Sequence, residues 1–512
     1  MATRTLEGPL VRLDEATPGG PVRIGDEAGE RAFLDRLRAG VIGAGVPLDT
    51  PEGPKRLAYF DWTASGRFHR EVEDVLNTRV LPYMANTHSE TSATGRMMTR
   101  WYEDAFRRIA GYLGAREDDV VLPVGSGSTG AVNRLIQVMG LRIPSELEDR
   151  YDMSRLVPEE LRPVVFRSSM EHHSNDITWR ETIGETVFVP FDEHGRISVA
   201  ALDELLGRYR ARPNKIGTFS AASNVTGIRN DCHALARVLH RHGAWAFFDY
   251  AAAGPYVDID LHPMGTDGRP DDEARLDAVF LSVHKFLGGP RAPGLLVANR
   301  RLFSNRVPAE PGGGTVLYTS PTEHVYLRET SHRETGGTPP VVGAIQAGLA
   351  FDLKHAIGTE RIHRIERGYL ERALTEWRRE SGLELLGDLE AERLGIVSMI
   401  FHGLHHNYVV ALLNDYFGVQ ARGGCMCAGP YGHELLDIDP AVSERVRRLL
   451  EQGHCGLKPG WVRVGFSPVT SETEFQTLLE AVRFVCREGR RHLPRYEMID
   501  ETGEWRRRGG PS

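Results

Sequence analysis

Between Leu57 and about Ala350, short apolar runs alternate with stretches whose apolar residues recur every three or four positions. The run Lys215-Ile-Gly-Thr-Phe-Ser predicts a strand. Cys232 to His242 predicts a helix with Leu235, Val238 and Leu239 on one face. Ala244 to Phe248 predicts a second strand, ending in Asp249. A further apolar run, Ala278 to Leu281, predicts a buried strand that ends at Ser282, His284 and Lys285. Runs of this length without polar alternation suit strands covered on both faces, and strand–helix–strand repeats imply a mostly parallel sheet. Ligands of such sheets bind beyond the carboxyl ends of the strands, where this reading puts Asp249 and Lys285.

The pattern changes on either side of this region. Residues 1–56 are rich in Gly, Pro and charge, with one helical stretch near Glu30 to Leu37, and read as an N-terminal extension with a small-domain segment. After the large α/β domain (57–350), a long helix-prone stretch runs from Val341 to Arg379. Short strands (Ile396 to Phe401, Trp461 to Phe466) and helices (Tyr408 to Tyr416, Thr473 to Arg487) follow, predicting a smaller α+β domain over 351–487. Arg142 to Arg162 and His433 to Gly460 read as insertions. Residues 488–512, rich in arginine with acidic residues interspersed, read as a loose, solvated tail.

Composition narrows the function. The 512 residues are 41% hydrophobic, ample for a large core, and the net charge of -8 gives no general attraction for nucleic acid or an anionic membrane. The first residues hold no apolar signal region and no segment approaches a membrane span, so a cytoplasmic, soluble protein is expected. Five cysteines (Cys232, Cys425, Cys427, Cys455, Cys486) do not make a disulfide framework in so long a chain, which leaves individual thiols free to react.

Two groups carry the candidate chemistry. A lysine just past a strand end can be held unprotonated and form a Schiff base with a cofactor carbonyl. A carboxylate at a neighbouring strand end can pair with a pyridinium nitrogen. Lys285 and Asp249 are thus the two protein groups that pyridoxal 5'-phosphate needs. Upstream, Gly125-Ser-Gly-Ser-Thr-Gly130 precedes a helical pattern, Ala131 to Met139. Small residues let backbone N–H groups approach a phosphate at a helix N-terminus, and Ser128 and Thr129 add hydroxyls.

Six segments then occur in order: Met170-Glu-His-His-Ser-Asn175, Ser223-Asn-Val-Thr-Gly227, Phe248-Asp249, Ser282-Val-His-Lys285, Thr335-Gly-Gly-Thr338-Pro and Arg422-Gly-Gly-Cys-Met-Cys427-Ala-Gly-Pro430. The set, running from about Tyr59 to Phe484, resembles the class V aminotransferase-like pyridoxal-phosphate enzymes, and among them the cysteine desulfurase / selenocysteine lyase group. The resemblance implies fold-type I (aspartate aminotransferase-like): a large domain with a mostly parallel, seven-stranded-type sheet, a smaller α+β C-terminal domain, and a homodimer with shared active sites. It implies Lys285 as Schiff-base lysine, Asp249 as pyridinium partner, His172 stacked on the ring and Asn224 near the ring hydroxyl. Ser128, Thr129, Ser282 and His284 would hold the phosphate, and Thr338 would reach the phosphate of the neighbouring subunit. Arg463, assisted by Arg422, would clamp the substrate carboxylate, a task suited to a guanidinium fork. Asn86 and His88 match a substrate-side segment. Cys427 falls where the desulfurases carry their nucleophile. The implied reaction takes sulfur or selenium from L-cysteine or L-selenocysteine, leaves a persulfide on Cys427 for a sulfur-acceptor protein, and yields L-alanine. The same fold also serves aminotransferases, C–S β-lyases and epimerases acting on specialised amino acids.

Two departures stand out. Three residues after Asp249, where the family often carries a glutamine, this chain has Ala252. Cys425 precedes Cys427 by two positions, where histidines are familiar. With His433, His454 and Cys455 these cysteines match no usual zinc spacing, so no metal is expected. His405-His406 reads as surface. His240 and His242, at a helix C-terminus, suit its dipole.

Overall fold

The computed structural model describes residues 2–87 and 90–509; His88 lies outside them. Helix α1 (Glu27–Gly40) belongs to the N-terminal segment, which packs on the large domain: Leu10, Val11, Leu13, Val22, Phe33 and Leu37 are all buried in that domain's main apolar cluster. Glycine and proline between these apolar anchors disguise them in the sequence.

The large domain follows in chain order as α2 (Ala93–Tyr112), β1 (Asp119–Val124), α3 (Gly127–Val138), β2 (Val164–Arg167), α4 (His173–Arg180), β3 (Glu185–Phe188), β4 (Lys215–Ser220), α5 (Cys232–Arg241), β5 (Trp245–Asp249), β6 (Ala278–Ser282), β7 (Gly294–Asn299) and α6 (Val341–Ile357). Among the described residues its sheet has seven strands, ordered β1-β7-β6-β5-β4-β2-β3. β3, β2, β4, β5 and β6 pair in parallel, whereas β7 runs antiparallel to both β6 and β1. Every residue of β2, β4, β6 and β7 is buried, as the uninterrupted apolar runs require of strands with helices on both faces. One face carries the main cluster. The other is closed by α3, with Val132, Leu135 and Ile136 packed against Phe247, Phe280 and Leu296.

The helix-prone stretch 341–379 is two helices. α6 ends at Gly358, whose φ of +86° suits a residue without Cβ, and α7 (Thr359–Trp377) leads to the small domain. There β8 (Leu383–Leu385), β9 (Ile396–Phe401), β10 (Arg422–Gly424) and β11 (Trp461–Gly465) form an antiparallel sheet ordered β8-β9-β11-β10. It is covered by α8 (His406–Phe417) and α11 (Glu472–His492), with α9 (Gly429–Leu435) and α10 (Pro440–Glu451) between β10 and β11. No side chain of α10 is buried.

Residues 488–509 are not a loose tail. α11 continues to His492, and β12 (Tyr496–Ile499) pairs with β13 (Glu504–Arg507) as a hairpin lying on α8. Tyr496 and Trp505 pack on Tyr408 at 5.3 and 5.0 Å between ring centres, and Tyr496 Oη donates to Asp415 Oδ2 at 2.7 Å. Two aromatics decide the matter against a charged background. The same contact half-buries His405 and His406, which were expected at the surface: Trp505 Nε1 donates to His405 Nδ1 at 3.0 Å.

Because Tyr496 is 2% exposed, Tyr496→Ala is expected to cost about 3 kcal/mol of stability, the usual scale for emptying a buried aromatic site. Chemical denaturation checks this; an unchanged midpoint would return the hairpin to the status of a tail.

Candidate active site

The parallel pairing of β5 and β6 brings the two key side chains to one edge. Asp249 lies opposite Phe280, so both strands run out together, and a single 3-10 turn (Val283–Lys285) carries Lys285 back over the strand ends. Asp249 is 4% exposed, and its Oδ1 accepts from Ser128 Oγ at 2.9 Å and from the Ala251 amide at 2.8 Å. Burial raises its pKa, while those bonds and nearby Lys285 pull it back. Burial lowers the Lys285 amine to about 8; Asp249 opposes the shift, and Arg463 and Arg422 reinforce it.

Lys285 borders a cavity of about 220 Å³. One wall is the N-terminus of α3, whose N-cap Ser126 makes no side-chain cap, together with Ser128, Thr129, Ser282 and His284. This terminus is held tight against β6. A Cβ on Gly127, at φ +58°, would meet His284 Cε1 and Ser282 Oγ at 2.8 Å, and one on Gly294 would lie 2.3 Å from Gly127's own carbonyl oxygen. The Ser128 amide donates to Ser282 Oγ at 3.0 Å, and Thr129 Oγ1 shares a 2.6 Å bond with Ser174 Oγ. Burial, then Lys285, depresses His284 to about 4.

His172 caps α4, its Nδ1 accepting from the Ser174 amide at 3.1 Å, and faces the cavity. Burial, Lys285, His173 and Arg463 together push it down to about 3, so the ring is neutral. Beneath it lies Glu171, a residue to which sequence reasoning gave no part. It is wholly buried and accepts from Ser168 Oγ, Asn175 Nδ2 and Ser220 Oγ at 2.6–2.7 Å, tying the turn to β4, and burial lifts it to about 7.

The opposite wall comes from the small domain. Arg422 and Arg463 are direct partners across β10 and β11. Two like charges so placed repel. Asp61 stands between them, its Oδ2 accepting from Arg422 Nε at 3.0 Å and its Oδ1 lying 3.3 Å from Arg463 Nη2. Arg463, 4% exposed, also donates to the Asn224 carbonyl at 2.8 Å. Asp61 was missed because one aspartate in an ordinary turn carries no sequence signal. Asn224 Nδ2 donates to the Met426 carbonyl at 2.9 Å, and its buried Oδ1 has no partner among the described residues.

Cys427 lines the same cavity and is exposed. Met426 and Cys427 have φ of +53° and +56°, and the Ala428 amide donates to the Cys425 carbonyl at 3.1 Å. This is a β-turn with two left-handed, non-glycine centres, an arrangement costing about 1–3 kcal/mol per residue that persists only when its surroundings hold it. Cys425 lies partly buried against the main apolar cluster. Asn86 and Thr338, expected at a substrate or phosphate, are outside the cavity lining. Both are exposed, with Asn86 Nδ2 3.4 Å from Thr338 Oγ1. A single chain does not bring them to Lys285.

Residues 58–478 match the model of the family Aminotransferase class-V, and the chain belongs to this family of pyridoxal-phosphate-dependent enzymes. A probable cysteine desulfurase of Halalkalibacterium halodurans is 26% identical over 387 residues, covering 75% of this chain and 87% of its own. One from Halobacterium salinarum is 26% identical over 430 residues, covering 83% and 92%. Among solved structures, the apo cysteine desulfurase of Thermococcus onnurineus superposes with a TM-score of 0.67 at 21% identity, over 84% of this chain and 95% of that one. An S-sulfonic acid form of an Escherichia coli cysteine desulfurase does so at 0.64 and 21%, over 90% and 98%. The fold is therefore that of the fold-type I enzymes, as the ordered motifs implied.

Isotope-labelled methylation of the apoprotein, followed by NMR titration, should show Lys285 losing its proton near pH 8, well below the roughly 10.4 of an ordinary lysine. Removing the opposing carboxylate with Asp249→Asn should move that midpoint lower still. A Lys285 midpoint near 10 would mean that the strand-end pocket does not desolvate the amine.

Proposed function

We propose that this protein is a pyridoxal-phosphate-dependent cysteine desulfurase that takes sulfur from L-cysteine, or selenium from L-selenocysteine, and forms L-alanine. The observation that carries the reading is the meeting of Lys285, Arg463 and Cys427 on one small cavity, with the thiol on its exposed rim. The residues fit the cofactor. An uncapped helix N-terminus ringed with hydroxyls suits a phosphate, a buried carboxylate and a depressed amine face each other, and Asn224 Oδ1 is left free for a hydroxyl donor.

Bound there, pyridoxal phosphate would act as the electron sink that acidifies the hydrogen on the substrate α-carbon. Asp249, a costly buried charge, gains the cationic ring nitrogen it lacks in the bare chain. His172, whose pKa burial lowers to about 3, would lie beside the ring without adding charge. Ser128, Thr129, Ser282 and His284, with Ser126 beside them, would hold the phosphate together with the α3 N-terminus. Arg463 receives the substrate carboxylate, with Arg422 beside it. Lys285, poised near neutrality, takes the proton from the α-carbon and returns one to product. The Cys427 thiolate attacks the substrate sulfur: an S–S bond forms, the C–S bond breaks, and its electron pair leaves with the carbon that becomes the methyl group of alanine. The persulfide then sits at the rim, within reach of an acceptor thiol.

The protein acts on a small amino acid in the cytoplasm, as a homodimer. Thr338 and Asn86, exposed away from their own cavity, are the residues this reading gives to the partner's site. No helix among the described residues is long and apolar enough to cross a membrane.

With L-cysteine and a reductant, the cofactor-loaded protein should release alanine and sulfide in equal amounts. Cys427→Ala should cut both to below about one-hundredth, and Lys285→Ala should abolish them. Pyruvate and ammonia instead, or a Cys427→Ala variant as active as wild type, would overturn the desulfurase reading in favour of another class V reaction.

A further inference from the structure

The rim turn that carries the thiol is gripped from both sides by one residue. The His173 backbone amide donates to the Cys427 carbonyl at 2.8 Å, and the Gly429 amide donates to His173 Nε2 at 3.0 Å. The turn has little other support of its own. Met426 and Cys427 are both left-handed without being glycine, and the further side-chain bonds to this stretch come from Asn224 Nδ2 on the Met426 carbonyl at 2.9 Å and from His433 Nδ1 at the Gly429 carbonyl, 2.8 Å away. His173 is half-buried as the first residue of α4, next to the cavity residue His172, so the grip links the cofactor-side helix of the large domain to a small-domain loop.

From this geometry we infer that His173 is a positioning residue for the desulfuration step: its imidazole, acting as a hydrogen-bond acceptor, holds the Cys427 turn in the conformation that aims the thiol at substrate sulfur. The inference deepens the desulfurase reading and rests on it. Accepting at Nε2 requires the neutral ring with its hydrogen on Nδ1, since a protonated ring would set a second donor against the Gly429 amide. The surroundings favour the neutral form. Burial lowers the His173 pKa, and Lys458 of the 433–460 insertion and Arg180 act in the same sense, against Asp176. The backbone half of the grip is available to any residue at this position. Only the acceptor half depends on the side chain, so replacements separate by whether they can accept at the Nε2 position. Glutamine can, with its terminal amide oxygen; alanine cannot.

Three measurements on the cofactor-loaded full chain test this. In His173→Ala, formation of alanine and sulfide from L-cysteine should fall by about tenfold or more, the scale on which loosened positioning acts. Exchange of the α-hydrogen of L-alanine with heavy water, which needs Lys285 and the cofactor but no thiol, should stay within about twofold of wild type in the same variant. His173→Gln should recover most of the lost turnover. Hydrogen–deuterium exchange of the peptide spanning 425–430 should quicken in His173→Ala and return toward wild type in His173→Gln. Wild-type turnover in His173→Ala, an equal fall in α-hydrogen exchange, or a glutamine variant as impaired as alanine would each overturn the proposal. If Cys427→Ala itself kept producing alanine and sulfide, the desulfurase reading would fail, while protection of residues 425–430 would still decide whether His173 holds the turn.

Discussion

Everything at this site depends on keeping a carboxylate and an amine together at the dry edge of a parallel sheet. Removing either ion from water costs several kcal/mol even after relaxation. That cost is contained here by geometry rather than by solvent. Asp249 is fixed by the Ser128 hydroxyl and the Ala251 amide, and Lys285 is carried over it by a turn of three residues. Desolvation pushes the two pKa values toward each other. Burial thus raises the carboxyl of Asp249 and lowers the amine of Lys285, while the attraction between the two opposes both shifts. The close approach of Gly127 and Gly294 serves the same end, because it brings the α3 N-terminus over the lysine and closes the wall.

The large domain was legible in the sequence because its strands are buried on both faces. Continuous apolar runs such as Ala244 to Phe248 and Ala278 to Leu281, too short for helices and rich in aromatic residues, stand out as strands. The place of the candidate site was legible for a related reason: Asp249, Ser282, His284 and Lys285 each interrupt or follow such a run, and polar residues at those positions stand out. Elements held by few contacts were harder. The C-terminal hairpin depends on Tyr496 and Trp505 amid arginines and glutamates, and local composition outweighed two aromatic anchors. The N-terminal segment scatters its buried residues, Leu10, Val22 and Phe33 among them, through Gly- and Pro-rich chain with no periodicity to reveal them.

Residues that act through others left the weakest traces. Glu171 looks like one polar residue among several in Glu-His-His-Ser-Asn, yet its three hydrogen bonds join the His172 turn to Ser168, to Asn175 of α4 and to Ser220 of β4. Asp61 precedes Trp62 in an unremarkable turn and becomes important only when antiparallel pairing sets Arg422 opposite Arg463. Periodicity and motif spacing report which residues share an element. They do not report which residue from a distant part of the chain balances a charge.

That balance has a consequence for selectivity. A carboxylate arriving from solvent does not meet two bare cations; it meets guanidinium groups already shared with a fixed counter-ion. Capture is therefore an exchange of one anion for another, and the net electrostatic gain is only the difference between them. A simple inorganic or fatty anion, with one point of attachment, gains little from such an exchange. A ligand that satisfies the arginines and reaches Lys285 at the same time gains on two fronts. On the proposed reading, in which the two arginines receive the substrate carboxylate, Asp61 would act as a built-in competitor that favours ligands bearing a second group in the right place.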